Sequence, residues 1–293
     1  MFVILGAAGN TGRVVADTLL AQRKSVRAVV TDSARGQSLK DKGAEVVVAD
    51  VEDRNALERV FSGAEGAYVL LPPNHSSNQI RADNDRRAKN IAAATAAAGV
   101  GHTVLLSSMG AQNPDGTGPI LSLHDAEATL EAALSAGGGT RGVTFLRAAY
   151  FLENWALGLG TVSQGILPTF LLADRAVPMV ATRDIGLAAA RLLASGGSGK
   201  RIIHLAGPRD YSPVDVAAAL GRIVGKPVVA QQQPEEAMVP ALLTTGMSSE
   251  LSRLFQELIH GMNSGRVAWE NGHPLWRGET GVEAALAPFV TGN

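Results

Sequence analysis

The sequence predicts an α/β protein: a doubly wound parallel sheet followed by a smaller C-terminal α+β subdomain. Three observations carry this. Strand and helix patterns alternate through the first half of the chain. Runs such as Val46-Val47-Val48-Ala49 and Thr103-Val104-Leu105-Leu106 are apolar at consecutive positions, as strands buried on both faces are. The first apolar run, Phe2-Val3-Ile4-Leu5, passes straight into Gly6-Ala7-Ala8-Gly9-Asn10-Thr11-Gly12 and then a helix. Repeated βα units imply right-handed crossovers, hence helices on both faces of the sheet.

The elements follow in order. Arg13 to Gln22 reads as a helix, with Val14, Val15, Leu19 and Leu20 as its apolar stripe. Val26 to Val30 is a second strand, and Gly43 ends a short helix. Glu45 to Ala49 is a third strand, Asn55 to Phe61 a helix, and Ala67 to Leu71 a fourth strand stopped by Pro72-Pro73. A long Ala-rich helix runs from Asn78 to Ala98 and stops at Gly99; Thr103 to Ser107 is the fifth strand. Ser122-x-x-Asp125 reads as a capping box opening a helix to about Ala136, ended by Gly137-Gly138-Gly139. Val143 to Arg147 is a sixth strand. Ile185 to Ala194 is helical, and Ile202 to Leu205 is a seventh strand returning to the main sheet. Ser212-Pro213-Val214-Asp215 opens another helix, and two more lie near 234–245 and 248–260.

A strand, a glycine turn and a helix in that order form a dinucleotide-phosphate site, or else a turn that merely packs a helix on a sheet. The glycines allow a tight turn and close approach of the backbone to a pyrophosphate, and the helix N-terminus offers free N–H donors. The spacing is G-x-x-G-x-x-G. We therefore expect a Rossmann domain over residues 1–150, with 181–206 returning to its sheet, and a smaller substrate-binding subdomain over 151–293.

Composition excludes several classes. There are no cysteines, so disulfides, thiolate catalysis and Cys-ligated metals are ruled out, and the histidines show no metal spacing. The formal net charge is −1, and the cluster Arg81, Arg86, Arg87, Lys89 is interleaved with Asp83 and Asp85. A solvated helix face fits better than a nucleic-acid footprint. No signal peptide and no membrane span are expected, which makes the cytoplasm the expected location. The sequence is silent on oligomeric state and leaves a homodimer open.

In open α/β sheets, ligands bind outside the carboxyl ends of the strands. Candidate cofactor-binding residues there are Gly6, Gly9, Asn10, Thr11, Gly12, Thr31, Asp32, Arg35, Asp50, Val51, Leu71, Pro72, Ser107 and Ser108. Asp32 can bond ribose hydroxyls or simply hold a turn. Arg35 and Arg13 can receive a 2′-phosphate, so NAD and NADP both remain open. Asp50-Val51 can meet the adenine edge or start a helix. Ser107 and Ser108 are placed for the nicotinamide side, or are structural. His75 lies in the loop after the fourth strand, where it can cover a cofactor.

The chain resembles the NmrA-like family, an atypical branch of the short-chain dehydrogenase/reductase superfamily. The likeness rests on Gly6-Ala7-Ala8-Gly9-Asn10-Thr11-Gly12-Arg13, Ser107-Ser108, His124-x-x-Glu127, Leu146-Arg147-x-x-Tyr150-Phe151-x-Glu153-Asn154, Thr182-Arg183-Asp184-Ile185-Gly186 and Leu205-Ala206-Gly207-Pro208. It extends to about residue 220, and type 2 NAD(P)H:quinone oxidoreductases and triphenylmethane reductases are the relatives it suggests. The resemblance implies a cleft between the two units, cofactor contacts at Gly6, Gly9, Gly12, Asp50 and Ser107, and a histidine, His124, at the cleft mouth. NADPH-binding relatives usually carry Arg after the second strand; this chain has Thr31. His124 and Tyr150 are the candidate catalytic residues. His124 can donate a proton or merely sit in a first helical turn. Tyr150, Phe151 and Trp155 can line a flat aromatic pocket or pack the core. Glu153-Asn154 fits a role in fixing the junction between the units.

The superfamily's usual Tyr-x-x-x-Lys pair is absent, because Pro72, Asn154 and Asp215 stand four residues after Tyr68, Tyr150 and Tyr211. A ketone that accepts hydride becomes a strongly basic alkoxide and needs a placed proton donor. A quinone yields a weakly basic, delocalised anion that solvent can protonate. The expected function is hydride transfer from NAD(P)H to a quinone or similar small conjugated acceptor; the alternative is a non-catalytic NAD(P)-binding redox sensor of NmrA type.

Overall fold

The computed structural model describes residues 1–135 and 141–291. Its first half contains β1 (Phe2–Ile4), β2 (Val26–Val30), β3 (Glu45–Val48), β4 (Gly66–Val69), β5 (His102–Ser108) and β6 (Gly142–Ala148). Between them lie α1 (Asn10–Ala21), α2 (Gln37–Asp41), α3 (Arg54–Phe61), α4 (Ile80–Ala97) and α5 (Leu121–Ser135). The second half adds β7 (Tyr150–Phe151), β8 (Ile166–Thr169), β9 (Val177–Val180), β10 (Gly199–Ala206), β11 (Asp210–Tyr211), β12 (Val229–Gln232) and β13 (Leu275–Arg277). Its helices are α6 (Thr182–Ser195), α7 (Pro213–Val224), α8 (Met238–Thr244), α9 (Ser249–Ser264) and α10 (Val282–Thr291).

Eight strands form one parallel sheet in the order β13-β10-β6-β5-β4-β1-β2-β3. The order turns back on itself at β1, which pairs with β2 on one side and β4 on the other. That switch point opens a crevice beyond the carboxyl ends of β1 and β4. The period of two sorts the apolar side chains of the inner strands onto two buried faces; β3, expected to be buried on both, is the edge strand and leaves Val48 56% exposed. Ile4, Ala28, Val104, Leu146 and Leu205 face one core with Val15 and Leu19 of α1 and Ile185 and Leu193 of α6. Val3, Val29, Leu105 and Phe145 face the other, with Leu57 of α3, Ile91 of α4 and Leu130 of α5. A third core under the C-terminal region joins Trp155, Met179, Val216, Leu220, Leu258 and Leu286. Small sheets, β11-β9-β7 and β12-β8, frame it.

Two expectations about helix starts need correction. Pro119 starts a 3₁₀ turn at Gly118–Ile120 that leads directly into α5, so Ser122 lies inside the helix and is buried rather than capping it. Asp125 instead holds Arg81, at 2.7 and 3.1 Å. The helix end assigned to Gly137-Gly138-Gly139 lies outside the described residues. The first helix starts at Asn10 rather than Arg13, because the glycine turn itself supplies the N-cap at Gly9. Strand β13 and helix α10 come as additions. Three residues are too few for a periodic signal, and Pro288 sits inside α10, where a sequence reading ends helices. The box at Ser212-Asp215 forms as expected.

Two buried histidines make stability depend on pH. Burial pushes His102 down to about 4, aided by the nearby Arg201 charge. Burial likewise pushes His204 to about 4, with the Arg147 charge contributing. Each folded value lies below the ordinary 6.5, so between those values the unfolded chain binds protons that the folded chain does not. Stability is therefore full above that range and is lost as pH falls through it, by about 1.4 kcal/mol per pH unit for each histidine. We expect urea unfolding at pH 5 to show roughly 2–4 kcal/mol less stability than at pH 7. His204→Phe should remove about half of that difference. Equal stability at the two pH values would contradict the assignment.

Candidate active site

The site is built from the end of β1. Leu5 N–H donates to the Tyr68 carbonyl at 2.9 Å and Ala7 N–H to the Val29 carbonyl at 3.1 Å, which holds the start of the turn between β2 and β4. Gly6 is exposed with φ of +61°, a conformation that side chains strain to adopt. A Cβ on Gly12 would lie 2.3 Å from the Gly6 carbonyl oxygen, so only glycine lets the helix close onto the turn. Gly9 differs: its φ is −85°, and a Cβ there would meet the Gly6 oxygen at 3.2 Å. Gly186 permits the close crossing of α6 over α1, since its Cβ would come within 2.5 Å of Val14 Cβ.

The N-terminus of α1 receives no side-chain cap and carries no acid in its first turn. The short helices α2 and α8 share this lack, whereas five other helices are capped by a side chain. Asp53 accepts from Ala56 N–H in α3, Glu250 from Ile80 N–H in α4, and Glu153 from Thr182 N–H in α6. Ser212 and Ser248 do the same for α7 and α9. The first N–H groups of α1, on Asn10, Thr11 and Gly12, thus have no acceptor among the described residues and lie beside an exposed glycine turn. An anion completes such an end. The Thr11 side chain takes no part, because its hydroxyl is buried and accepts from Tyr68 Oη at 2.9 Å. The expected Thr11 contact is therefore confined to its backbone N–H. Burial raises the Tyr68 phenol well above the usual tyrosine range, so it is a fixed donor.

The residues beyond β2 and β3 are exposed. Asp32 Oδ1 accepts from Ala34 N–H at 2.9 Å and caps a short 3₁₀ turn, Ser33–Gly36; Asp50 Oδ1 likewise accepts from Glu52 N–H at 2.9 Å. The turn-holding alternative is therefore realised for one oxygen of each acid. Thr31, Arg35 and Arg13 are exposed, and neither arginine has an ion-pair partner among the described residues. The Val51 carbonyl accepts from Asn90, and the Pro72 carbonyl from Arg87 at 3.1 Å; Leu71 and Pro72 are half-buried. The loop carrying His75 is tied down at the start of α9. Ser248 N–H donates to the His75 carbonyl at 2.9 Å, and Ser249 Oγ to Asn78 at 3.2 Å.

At the ends of β5 and β6 the structure brings together residues the sequence reading treated separately. Ser107 is buried and donates its hydroxyl to Glu127 at 2.5 Å. Its proton is committed there, so toward any ligand Ser107 can only accept. Ser108 Oγ donates to the Met109 carbonyl at 3.0 Å. Arg147 is buried and grips Glu127 with two nitrogens, at 2.9 and 2.7 Å, and Glu270 with a third at 2.6 Å. Burial works against its charge, but the two carboxylates outweigh it and its pKa rises. His124 is half-buried in α5 and bonds the Ala111 carbonyl through Nδ1 at 2.8 Å. His204 stacks on Trp269 with ring centres 4.7 Å apart.

Tyr150 lies in β7, half-buried, edge-on to Trp155 at 6.4 Å between ring centres. Burial pushes its phenol up to about 12 against a hydrogen bond from Asn154. An amide thus occupies the position of the missing lysine, and Tyr150 stays protonated at neutral pH. Trp155 is buried and donates to Met179 Sδ at 3.4 Å, which makes it core rather than pocket wall. Glu153 holds the start of α6 through Thr182, at 2.9 Å to its N–H and 2.6 Å to its hydroxyl. Glu127 entered the sequence reading only within a motif, and Arg147, His204, Trp269 and Glu270 had no assigned role. The available signal was a charged residue closing the otherwise uncharged strand Val143 to Leu146.

No helix among the described residues is long and apolar enough to cross a membrane, and none of their His, Asp or Glu groups could hold a metal ion. The sequence profile of the NmrA-like family matches residues 1–284. The chain is 30% identical over 246 residues to a (4-alkanoyl-5-oxo-2,5-dihydrofuran-3-yl)methyl phosphate reductase of Streptomyces griseus, covering 83% of this chain and 80% of that protein. It is 26% identical over 269 residues to quinone oxidoreductase 2 of Escherichia coli, covering 90% and 89%. A crystal structure of an NADPH-dependent quinone oxidoreductase from Escherichia coli, solved with NADPH, superposes with a TM-score of 0.79 at 24% identity. That alignment covers 98% of this chain and 99% of the other.

Proposed function

The chain belongs to the NmrA-like family, and from that premise we propose that it passes hydride from NAD(P)H to a quinone or a similar small conjugated acceptor. The coarser part of this is plain: it is an NAD(P)H-dependent oxidoreductase. The observation that carries the cofactor is the uncapped N-terminus of α1 beside Gly6, at the switch point of the sheet. Gly6, Gly9 and the N–H groups of Asn10, Thr11 and Gly12 would hold the pyrophosphate, and Arg13 and Arg35 are free to meet a 2′-phosphate. Bound there, a reduced nicotinamide supplies the hydride.

The acceptor follows from the proton donors. Tyr150 is paired with Asn154 instead of a lysine; the amide hydrogen bond eases loss of its proton, but burial outweighs it and no cation among the described residues stands beside it to stabilise the phenolate. That arrangement suits an acceptor whose reduced anion is weakly basic. The names of the Streptomyces and Escherichia relatives specify a 5-oxo-2,5-dihydrofuran and a quinone, both conjugated carbonyl compounds. His124, with Nδ1 donating to the Ala111 carbonyl, would in its protonated form donate from Nε2 to an oxygen of the acceptor. The loss of one hydrogen bond predicts that His124→Ala lowers kcat/KM for a quinone by roughly tenfold or less. A loss beyond about a thousandfold would make His124 an essential acid and reject protonation by solvent.

Cofactor choice follows from opposing charges. Asp32 disfavours a 2′-phosphate, and Arg35 and Arg13 favour it. A charge-assisted hydrogen bond contributes about 1.5–3 kcal/mol, so these effects nearly cancel. Dissociation constants for NADH and NADPH should differ by less than roughly a thousandfold, about 4 kcal/mol. Arg35→Ala should weaken NADPH by about tenfold or more and leave NADH unchanged. Equal weakening of both would remove Arg35 from the phosphate site.

A further inference from the structure

Three polar residues stand side by side across the apolar sheet, on the face that carries α5. In the parallel register Ser107 of β5 pairs with Arg147 of β6, and Arg147 with His204 of β10. All three are buried. Glu127 of α5 spans the first two. Its Oε1 accepts from Ser107 Oγ at 2.5 Å and from Arg147 Nε at 2.9 Å, and its Oε2 accepts from Arg147 Nη2 at 2.7 Å. One turn earlier on the same helix, His124 Nδ1 bonds the Ala111 carbonyl at 2.8 Å, in the loop that follows β5. A carbonyl can only accept, so Nδ1 carries the proton and Nε2 of the neutral ring presents a lone pair. Two side chains one turn apart thus tie α5 to the end of β5 and to the loop beyond it.

Charge balance alone does not call for this arrangement. Arg147 already has Glu270 at 2.6 Å, and the Ser107 bond neutralises nothing. What Glu127 adds is a link between helix and strand. We propose that Glu127 is a positioning residue, fixing α5 against the ends of β5 and β6 so that His124 is held in one place and one tautomer. Its effect on turnover rests on the oxidoreductase reading above; its effect on the imidazole does not.

The test combines kinetics with nitrogen NMR of the His124 ring. Glu127→Gln should lower kcat with a quinone by roughly tenfold, the scale of one lost hydrogen bond, while the NADPH dissociation constant stays within about twofold. In a His124→Ala background the same change should cost less than about twofold, because the group it acts through is gone. Equal losses in both backgrounds would overturn the proposal. Should Glu127→Gln fail to fold, Ser107→Ala cuts the tie to β5 alone, without leaving a buried charge unpaired; Ser107→Thr should restore what Ser107→Ala loses. In the wild type the ring should show a single Nδ1–H tautomer, and in Glu127→Gln or Ser107→Ala a mixture. An unchanged ring in both variants would overturn the proposal. A changed ring in a protein that turns over no acceptor would sink the oxidoreductase reading and leave the positioning role standing.

Discussion

Gly9→Val is expected to abolish dinucleotide binding in a protein that still folds. The backbone at Gly9 has φ of −85° and ψ of 174°, which valine adopts without strain. Its Cβ would approach only the Gly6 oxygen, at 3.2 Å. Valine is a poorer N-cap than glycine, at a cost of about 1 kcal/mol, so the unliganded protein should melt within a few degrees of wild type. The added methyl groups, however, stand over the free N–H groups of Asn10, Thr11 and Gly12, where a phosphate must approach closely. We expect calorimetry to show NADPH affinity reduced by more than a hundredfold, about 3 kcal/mol. The contrast is Gly12→Val, where a Cβ 2.3 Å from the Gly6 oxygen should disrupt the turn itself and the fold with it. Unchanged affinity in Gly9→Val would move the phosphate site elsewhere.

The largest loss of stability short of a backbone clash is expected for Arg147→Ala. Its guanidinium is buried between Glu127 and Glu270, and Glu127 is buried as well. Removing the cation leaves Glu127 charged in an apolar sheet with only the Ser107 hydroxyl to satisfy it. Breaking a buried pair in this way costs about 3–5 kcal/mol. For a chain of this length that corresponds to a melting point lower by roughly 5–8 °C. Adding Glu127→Leu should recover part of the loss, since an apolar pair removes the stranded charge. A single variant within about 1 kcal/mol of wild type would mean that water reaches Glu127, and the Ser107–Glu127–Arg147 array would not be the dry, rigid link described above.

What the sequence made legible was local. The strand, glycine turn and helix at residues 2–22, the inner doubly apolar strands and the Ser212-Asp215 cap all depend on neighbours a few positions apart, and all form; β3 forms too, but at the sheet edge with Val48 exposed. What it hid depends on partners far along the chain. Glu250 caps α4 from 170 residues away, and Arg147 meets Glu270 across 123. No spacing rule finds such pairs; an arginine closing an otherwise uncharged strand only signals that some partner must exist. Ser122 misled for the opposite reason. Its sequence fits a cap, but Pro119 begins the helical turn three residues earlier. The roles proposed for Thr11 and Ser107 were shifted by the same long reach: Tyr68 and Glu127 had already engaged their hydroxyls. His124 was legible as a residue, whereas the carbonyl that fixes its ring lies in a loop the sequence left without structure.

The most direct test is the oxidation of NADPH by the purified protein in the presence of p-benzoquinone and, separately, of cyclohexanone. If hydride is delivered at this site without a lysine-assisted proton donor, as proposed, the quinone should be reduced well above the uncatalysed rate and the ketone not at all. Efficient reduction of cyclohexanone, or a protein that binds NADPH at the α1 turn and reduces no quinone, would contradict it.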